Sequence, residues 1–185
     1  MYIHSRLCYY KPTMGFISIK QINITSIEQL QAIGKLTFYQ TFADVNTKEN
    51  LQTYLDEEFT SSKLTAEITN PNSQFYFAMH NDDLIGYLKL NFGEAQTELK
   101  NNNALEIERI YVLKEFHGKK VGQLLYDKAL QVAKQTNVIY LWLGVWEENL
   151  RAIHFYKKNG FIEFDKHIFK LGDDEQTDIM MKLIL

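Results

Sequence analysis

The segment NLRAIHFYKKNGF, residues 149–161, carries the clearest structural signal in the chain. Asn149 is a favourable helix N-cap, and apolar residues then recur at helical spacing as far as Gly160, which suits the left-handed position beyond a helix end. A nearly continuous apolar run, residues 138–145, precedes the segment and has the length of a buried strand. The pattern predicts a buried strand that leads into a short amphipathic helix.

Another strand and helix precede this unit. The apolar residues within 105–112 predict a strand, and the loop FHGKKVG, residues 116–122, leads from it to an amphipathic helix that begins near Gln123. The free N–H groups at the start of that helix, with Lys119 and Lys120 beside them, favour a bound phosphate group. Taken alone, however, an ordinary strand-to-helix loop explains the pattern better.

The remaining segments complete a mixed pattern. A first strand is predicted from Phe16 to Ile24, and two or three helices, the first capped at Thr25, are predicted before Pro71. The Asn81-Asp82-Asp83 turn predicts a β-hairpin. Its strands and the two closing strands are predicted over residues 74–80, 84–92, 161–170 and 177–185. The predicted fold class is therefore α/β (α+β).

Length and charge limit the classes of protein that fit. The chain has 185 residues, of which 45% are hydrophobic, so one domain with its own core is expected over residues 14–185. Residues 1–13 lack periodic patterning and are predicted to be an extension, with Met14 as an alternative start. Lys and Arg number 20 against 23 Asp and Glu, and the net charge of −3 argues against nucleic acid as a partner.

Cysteine content and hydropathy limit the location. Cys8 is the only cysteine, which excludes an internal disulfide framework and favours a reducing cytoplasm. The five histidines show no metal-ligand spacing, so no metal is expected. No apolar run approaches the roughly 20 residues that span a bilayer, so no membrane association is expected either.

Taken together, the loop and the last helix resemble the GNAT superfamily of acetyltransferases. The phosphate loop of that superfamily has the form Q/R-x-x-G-x-G/A, and its following helix has the form N-x-x-A-x-x-F-Y-x-x-x-G-F. The helix pattern matches fully over residues 149–161. In the loop, His117 stands at the Gln/Arg position and Lys120 replaces the first glycine, while Gly122 is kept. Residues 105–112, 142–147 and 172–178 are similar to the bacterial PaiA-type polyamine acetyltransferases.

The resemblance implies a GNAT fold, with a mixed, mostly antiparallel sheet of about six or seven strands flanked by about four or five helices. The sheet is expected to be splayed near its middle strands to admit acetyl-CoA. The implied reaction is direct acetyl transfer, in a ternary complex, to a primary amine, with a polyamine such as spermidine or spermine as the leading acceptor.

The resemblance also implies a set of cofactor contacts. The pantetheine arm is expected along the main chain of Ile110, Tyr111 and Val112. Tyr156 and Lys158 of the last helix are further expected contacts, although a solvated charge is the simpler reading of Lys158. Asn149 is expected either to bond the cofactor amide or to act as an N-cap only. The residues expected around the phosphates are His117, Gly118, Lys119, Lys120, Val121, Gly122 and Gln123.

Amine acetylation requires a base and an acid. By resemblance Tyr156 is the general acid, and a half-buried packing tyrosine is the alternative. Glu108 is the preferred base and Glu106 the second candidate, with surface glutamates and an ordered water as alternatives. Because residues two apart on a strand share a face, both carboxylates are expected on the same face as Ile110 and Val112.

Acidic loops give a second indication of the acceptor. Glu94, Glu98 and residues 173–175 would attract a cationic amine, although acidic loops also serve solubility alone. The alternatives are another amine, such as a protein N-terminus, an aminoglycoside or an amino acid, and a non-catalytic CoA-binding regulatory module. The apolar closing strand over residues 179–185 leaves a homodimer open, on the assumption that this strand is an edge.

Overall fold

A computed structural model of the chain describes residues 16–171 and 174–185; the predicted extension, residues 1–13, lies outside them. The strands are Ile17–Gln21 (β1), Ser73–His80 (β2), Asp83–Phe92 (β3), Ala104–Val112 (β4), Tyr140–Trp146 (β5), Ile162–Leu171 (β6) and Asp174–Ile184 (β7). The α-helices are Ile27–Phe42 (α1), Lys48–Glu58 (α2), Ser61–Thr69 (α3), Val121–Gln135 (α4) and Leu150–Lys158 (α5).

The strands form one seven-stranded sheet in the order β1-β2-β3-β4-β5-β7-β6. Every neighbouring pair is antiparallel except β4 and β5, which are parallel. The predicted mixed, mostly antiparallel sheet is therefore confirmed, with five α-helices among the described residues. Across the same residues, every helix is too short or too polar to cross a membrane.

The sheet opens in its middle, as predicted. Residues 104–106 of β4 pair with residues 140–142 of β5, and the two strands share no pairing beyond that point. Within residues 16–171 and 174–185, β4 is from there bonded only to β3, and β5 only to β7. One side of β4 thus faces a gap in the sheet.

A β-bulge in β4 reverses the faces of its side chains. Arg109 pairs with Lys89 and Ile107 pairs with the next residue of β3, so Glu108 is the extra residue. Ile107 lies in the core beneath α4, and Ile110 packs against the same core despite its odd spacing. The expected shared face of Glu106, Glu108, Ile110 and Val112 is therefore wrong, because strand alternation does not continue through a bulge.

Hydrophobic cores cover both faces of the sheet. On one face, α4 and α5 bury Leu125, Ala129 and Ile153 against the strands. On the other face, α1, α2 and α3 bury Leu30, Leu51 and Leu64. These positions follow the helical spacing of apolar residues in the sequence, which is why the helices were predictable from their periodicity.

Two local expectations are corrected. The first helix is not capped by Thr25: Asn23 Oδ1 accepts the Thr25 N–H at 3.0 Å and caps a preceding 3₁₀ turn instead, and Ser26 at the start of α1 makes no side-chain cap. The closing strand β7 lies between β5 and β6, so it is not an edge and gives no reason for a dimer. By contrast, Gly160 has the left-handed φ of 90° expected beyond the end of α5.

Gly86 should be indispensable for the spacing of β3 and β4. A Cβ at this position would lie 2.6 Å from the main-chain oxygen of Tyr111, a contact that only strand separation can relieve. We expect Gly86→Ala to lower the free energy of unfolding by about 2 kcal/mol, measured by urea denaturation. Gly144→Ala in β5 is the matched control, because its Cβ would meet Asp178 at 3.4 Å, an ordinary contact. Equal stability of the two variants would contradict the prediction.

Candidate active site

A cavity of about 390 Å³ lies where β4 and β5 part. Helices α1 and α2 cover it with aromatic rings. Phe38 stacks on Tyr54 with ring centroids 4.4 Å apart, and Phe42 contacts Trp146 of β5 at 5.9 Å. Side chains of β4, β5, β7 and α5 form the remaining wall. The gap in the sheet therefore opens into a partly aromatic cavity.

The loop before α4 leaves N–H groups free. Helix α4 begins at Val121 without a side-chain cap, whereas side chains cap α2, α3 and α5. A Cβ built on Gly118 or Gly122 would meet no protein atom within 4 Å, so open space adjoins the helix start. Exposed N–H groups and the positive end of the helix dipole fit a pyrophosphate here. The loop residues predicted from Lys119 to Gln123 thus lie together at one helix terminus, and their cofactor role stays a prediction.

Lys120 adopts an unfavourable backbone conformation in this loop. Its φ of 64° and ψ of 9° are left-handed, the region in which a side chain costs about 1 kcal/mol or more. The family pattern places a glycine at this position, which would adopt the same angles without that cost. Lys120 therefore adopts the backbone angles suited to a glycine, and this conformation lowers the stability of the protein.

His117 joins the loop to the end of β4. Its Nε2 lies 2.8 Å from the main-chain oxygen of Val112, so this nitrogen carries the hydrogen and donates it. Burial lowers the pKa of His117, the bond to Val112 opposes that effect, and nearby Arg151 adds to it. The imidazole is therefore neutral near neutral pH, and its Nε2 is hydrogen-bonded to the protein main chain.

Helix α5 brings Tyr156 into the cavity wall. The ring is 6% exposed and lies against Phe155 and Phe161, with centroids 5.3 and 5.5 Å away. Burial, with a smaller contribution from Tyr111, raises the pKa of Tyr156 far above its ordinary value. The hydroxyl therefore stays protonated at neutral pH, as a proton donor must.

The other two predicted residues of α5 differ in position. Asn149 lines the cavity and is a true N-cap, since its Oδ1 accepts the Ala152 N–H at 3.1 Å. Lys158 is exposed in the last turn, away from the residues that line the cavity. The structure thus confirms the N-cap and leaves any contact of either residue with a cofactor as a prediction.

Glu106 is a buried carboxylate held by neutral donors. It is 2% exposed and lines the cavity. It accepts hydrogen bonds from the Thr97 hydroxyl at 2.5 Å, the Thr97 N–H at 3.0 Å and the Asn91 amide at 3.0 Å. Burial raises the pKa of Glu106 to about 6, against these hydrogen bonds, which lower it. Such a carboxylate is ionised at neutral pH and takes up a proton more readily than an ordinary glutamate.

Glu108 has the opposite character. Its carboxylate lies 2.6 Å from Lys89 Nζ and 3.0 Å from the Arg109 guanidinium. Burial alone would raise the pKa of Glu108, but Arg109 and Lys89 outweigh it, and the pKa lies below its ordinary value. A carboxylate that is paired with two cations is a poor proton acceptor. Glu108, the base that the sequence favours, thus has less favourable electrostatics for accepting a proton than Glu106.

Acidic groups also line the far wall of the cavity. His167 Nδ1 of β6 lies 3.2 Å from Glu98 Oε1, and His167 is the strand partner of Asp178 in β7. Burial raises the pKa of Asp178, while His167 lowers it. All three side chains line the cavity, whereas Glu94 is exposed and does not. Of the predicted acidic loop residues 173–175, Asp173 lies outside the described residues.

Several residues of the site escaped sequence reasoning. Thr97 and Asn91 hold Glu106 but lie 9 and 15 residues before it, and nothing local marks them as its partners. Asp178 and His167 come together only through the register of β6 and β7. Within the described residues, no three His, Cys, Asp or Glu side chains form a group that could hold a metal ion.

Comparisons with known proteins agree with this geometry. Residues 37–161 match the acetyltransferase (GNAT) family. An N-acetyltransferase from the pepI 3′ region of Lactobacillus delbrueckii subsp. lactis is 38% identical over 172 residues, 93% of this chain and 99% of the relative. The spermidine N(1)-acetyltransferase of Thermoplasma acidophilum is 26% identical over 170 residues, 90% of this chain and 96% of the relative.

A solved structure gives the same result. The crystal structure of the PaiA N-acetyltransferase from Thermoplasma acidophilum in complex with coenzyme A superposes with a TM-score of 0.75 at 25% identity, covering 92% of this chain and 99% of that one. The fold and the cavity thus define an N-acetyltransferase. The chain belongs to the acetyltransferase (GNAT) family.

Relief of the strain at Lys120 should stabilise the protein. We expect Lys120→Gly to raise the free energy of unfolding by about 0.5–1 kcal/mol, because glycine adopts a positive φ freely but is more flexible when unfolded. Lys119→Gly removes the same charge at a residue whose φ is not positive, and it should stabilise nothing. Urea denaturation of both variants measures the difference. A loss of stability in Lys120→Gly would show that the left-handed conformation is not the cost we infer.

The pKa values of the two carboxylates should appear in the pH dependence of stability. Since the pKa of Glu106 rises from 4.5 to about 6 on folding, its ionisation costs the folded state up to about 2 kcal/mol as the pH increases through this interval. We expect Glu106→Gln to gain stability relative to the wild type by up to that amount between about pH 4.5 and pH 7.

Glu108→Gln is the matched control with the opposite sign. The pKa of Glu108 is lowered on folding, so its ionised form adds stability above pH 4.5, which is lost as the pH falls through the folded pKa. The free energy of unfolding of the variant should therefore fall relative to that of the wild type as the pH rises. Parallel pH profiles for the two variants would overturn the assignment of the two pKa directions.

Proposed function

We propose that the protein transfers the acetyl group of acetyl-CoA to a primary amine of a polyamine such as spermidine. The charge of the cavity carries the proposal. Glu58, Glu98, Glu106, Glu108 and Asp178 line it, against Arg109 and His167. Arg109 pairs with Glu108 at 3.0 Å, and Glu58 pairs with Lys63. Glu98, Glu106 and Asp178 then leave the cavity negative against His167. A wall of this composition attracts a cationic acceptor and repels an anionic one.

The aromatic cover of the cavity suits the rest of such an acceptor. Polyamines alternate ammonium groups with methylene segments, and aromatic faces favour both, through cation–π attraction and apolar contact. Phe38, Phe42 and Tyr54 supply these faces in the same cavity as the acidic residues. The Thermoplasma acidophilum relative is a spermidine N(1)-acetyltransferase, which supports the same acceptor class.

The donor site rests on the loop before α4 and on the gap beside β4. The uncapped start of α4 offers N–H groups for a pyrophosphate, and the free side of β4 after residue 106 offers main-chain groups to an extended arm. Ile110, Tyr111 and Val112 lie on that free side. Acetyl-CoA supplies the acetyl group as a thioester at this gap.

The proton transfers fall to two residues on opposite sides of the gap. We assign Glu106 as the base that receives the proton of the acceptor ammonium, and Tyr156 as the acid that gives its hydroxyl proton to the leaving thiolate. A main-chain N–H of β4 polarises the acetyl carbonyl. Glu108 remains ionised beside its cations. Overall, one N–C bond forms and one C–S bond breaks. Of the two protons that the nitrogen loses, one is released through Glu106 and the other restores the hydroxyl of Tyr156.

Two other functions make different predictions. Another amine, such as a protein N-terminus, an aminoglycoside or an amino acid, would use the same chemistry with a different fit to the acidic wall. A non-catalytic CoA-binding module would need neither the tuned carboxylate nor a protonated Tyr156. We further propose a cytoplasmic location, since Cys8 is the only cysteine of the chain.

Thiol release from acetyl-CoA tests the proposal across spermidine, spermine, short diamines, amino acids, aminoglycosides and peptides with free N-termini. We expect the highest kcat/KM for the polyamines. Tyr156→Phe should lower kcat by about 100-fold through loss of the acid. Tyr126→Phe is the matched control, because Tyr126 is 4% exposed, packs on Phe155 and Phe161, and does not line the cavity.

Each outcome separates one part of the proposal. A preference for an amine other than a polyamine would reject the acceptor. Full activity of Tyr156→Phe would reject the acid. If acetyl-CoA raises Tm but no amine is acetylated, the protein is a binding module.

A further inference from the structure

Four charged side chains form a closed ring beside the cavity. Lys89 Nζ lies 3.0 Å from Glu67 Oε1 and 2.6 Å from Glu108 Oε2. The Arg109 guanidinium lies 2.9 Å from Glu67 Oε2 and 3.0 Å from Glu108 Oε1. Two cations and two anions therefore alternate around the ring, and its net charge is zero.

The four side chains of the ring are largely buried. They are only 6–15% exposed. Lys89 lies over the ring of Phe75 at 5.6 Å, and Arg109 lies over Phe59 at 5.5 Å. Because solvent screens such charges poorly, a change of one unit of charge in the ring shifts the pKa of neighbouring groups more than the same change at the surface would.

Asn91 connects this ring to Glu106. Its amide nitrogen donates to Glu106 Oε2 at 3.0 Å and also to Glu108 Oε2. Its carbonyl oxygen accepts the Ser73 hydroxyl at 2.9 Å, which fixes the amide with its nitrogen toward the carboxylates. Asn91 is fully buried and does not line the cavity, so it acts on the site through Glu106 and Glu108 alone.

The two carboxylates therefore share one donor but not the cations. Glu108 holds both cations, whereas the partners of Glu106 among the described residues are the neutral donors Asn91 and Thr97. The negative charge of Glu108 raises the pKa of Glu106. Any change in how far the cations neutralise Glu108 therefore also changes the pKa of Glu106.

We propose that Lys89 and Glu67 are positioning residues that act through the charge of this ring: Lys89 holds Glu108 ionised, Glu67 holds the two cations in place, and Glu106 is left as the group that accepts the proton. Neither residue lines the cavity. Their influence is electrostatic, so it depends on the sign of the charge that each contributes. This inference rests on the proposed function, in which Glu106 is the base.

Other ionisable groups surround Glu106 as well. Those that line the same cavity or complete the ring are Glu67 of α3, Tyr54 and Glu58 of α2, Lys89 of β3, Glu98 of the loop after β3, Glu108, Arg109 and Tyr111 of β4, Tyr156 of α5, His167 of β6 and Asp178 of β7. None of them changes in the variants that follow except the ring residue replaced, so they contribute a constant background.

A pair of amide substitutions with opposite charge effects tests the proposal. Lys89→Gln leaves the ring with a charge of −1 and should raise the pH at which kcat/KM falls on the acid side. Glu67→Gln leaves a charge of +1 and should lower that pH. We expect shifts of about half a pH unit or more in each direction. The double variant restores neutrality and should return to the wild-type profile.

A second readout does not need turnover. The infrared band of a protonated carboxyl group, assigned to Glu106 by its loss in Glu106→Gln, reports the titration of Glu106 directly. The pH at which this band appears should rise in Lys89→Gln and fall in Glu67→Gln. If Lys89→Gln does not fold, Arg109→Gln removes a cation from the same ring and should raise the titration pH in the same way.

The outcomes are distinct. Opposite shifts with recovery in the double variant support the proposal. Shifts of the same sign, or unchanged profiles in folded variants, overturn it, because loosening of the structure would not follow the sign of the charge. If the titration pH of Glu106 shifts in the infrared experiment but no amine is acetylated, the effect of the ring on Glu106 is supported and the proposed function is rejected.

Discussion

The separation of β4 and β5 after Glu106 is the constraint on which the rest of the site depends. Two parallel strands that stayed paired would close the sheet and leave no cavity. Because pairing stops after residue 106, one side of β4 is free for a ligand, and the cavity extends to the aromatic rings of α1 and α2. Glu106 lines that cavity ahead of the bulge, and the bulge at Glu108 adds Glu108 and Arg109 to the lining, while Ile110 and Val112 pack against the core beneath α4 and α5.

Burial of so much charge is not explained by stability. The transfer of each ion out of water costs several kcal/mol, and the attraction within the ring offsets that cost without a clear surplus. A well-packed apolar cluster would serve the fold equally well. The ring of Lys89, Glu67, Arg109 and Glu108 differs from such a cluster in one respect: it fixes the electric field around Glu106, a neighbour with no counter-ion in the part of the chain that the structure describes.

Sequence reasoning predicted the fold better than the site. Periodicity located the helices and strands, and the match of residues 149–161 predicted the helix that carries Tyr156 and its ending at Gly160. Strand alternation failed at Glu108, because a bulge depends on pairing with β3 and has no local pattern. The contrast between Glu106 and Glu108 was also out of reach, since it depends on Lys89, Asn91 and Thr97, which only the sheet register brings together. The left-handed Lys120 could be suspected from the missing glycine, but its angles required the structure.

The position of β7 has a consequence for biosynthesis. Because β7 inserts between two strands that are made before it, β5 has no antiparallel neighbour until the ribosome has synthesised residues 174–184. Until then, the apolar strand LWLGV, residues 141–145, is held by only three residue pairs with β4 and presents an unpaired edge. Such an edge is prone to pair with another chain. The nascent protein should therefore be most vulnerable to aggregation just before its last strand is made, and a chaperone that covers β5 in that interval would protect the yield of folded enzyme.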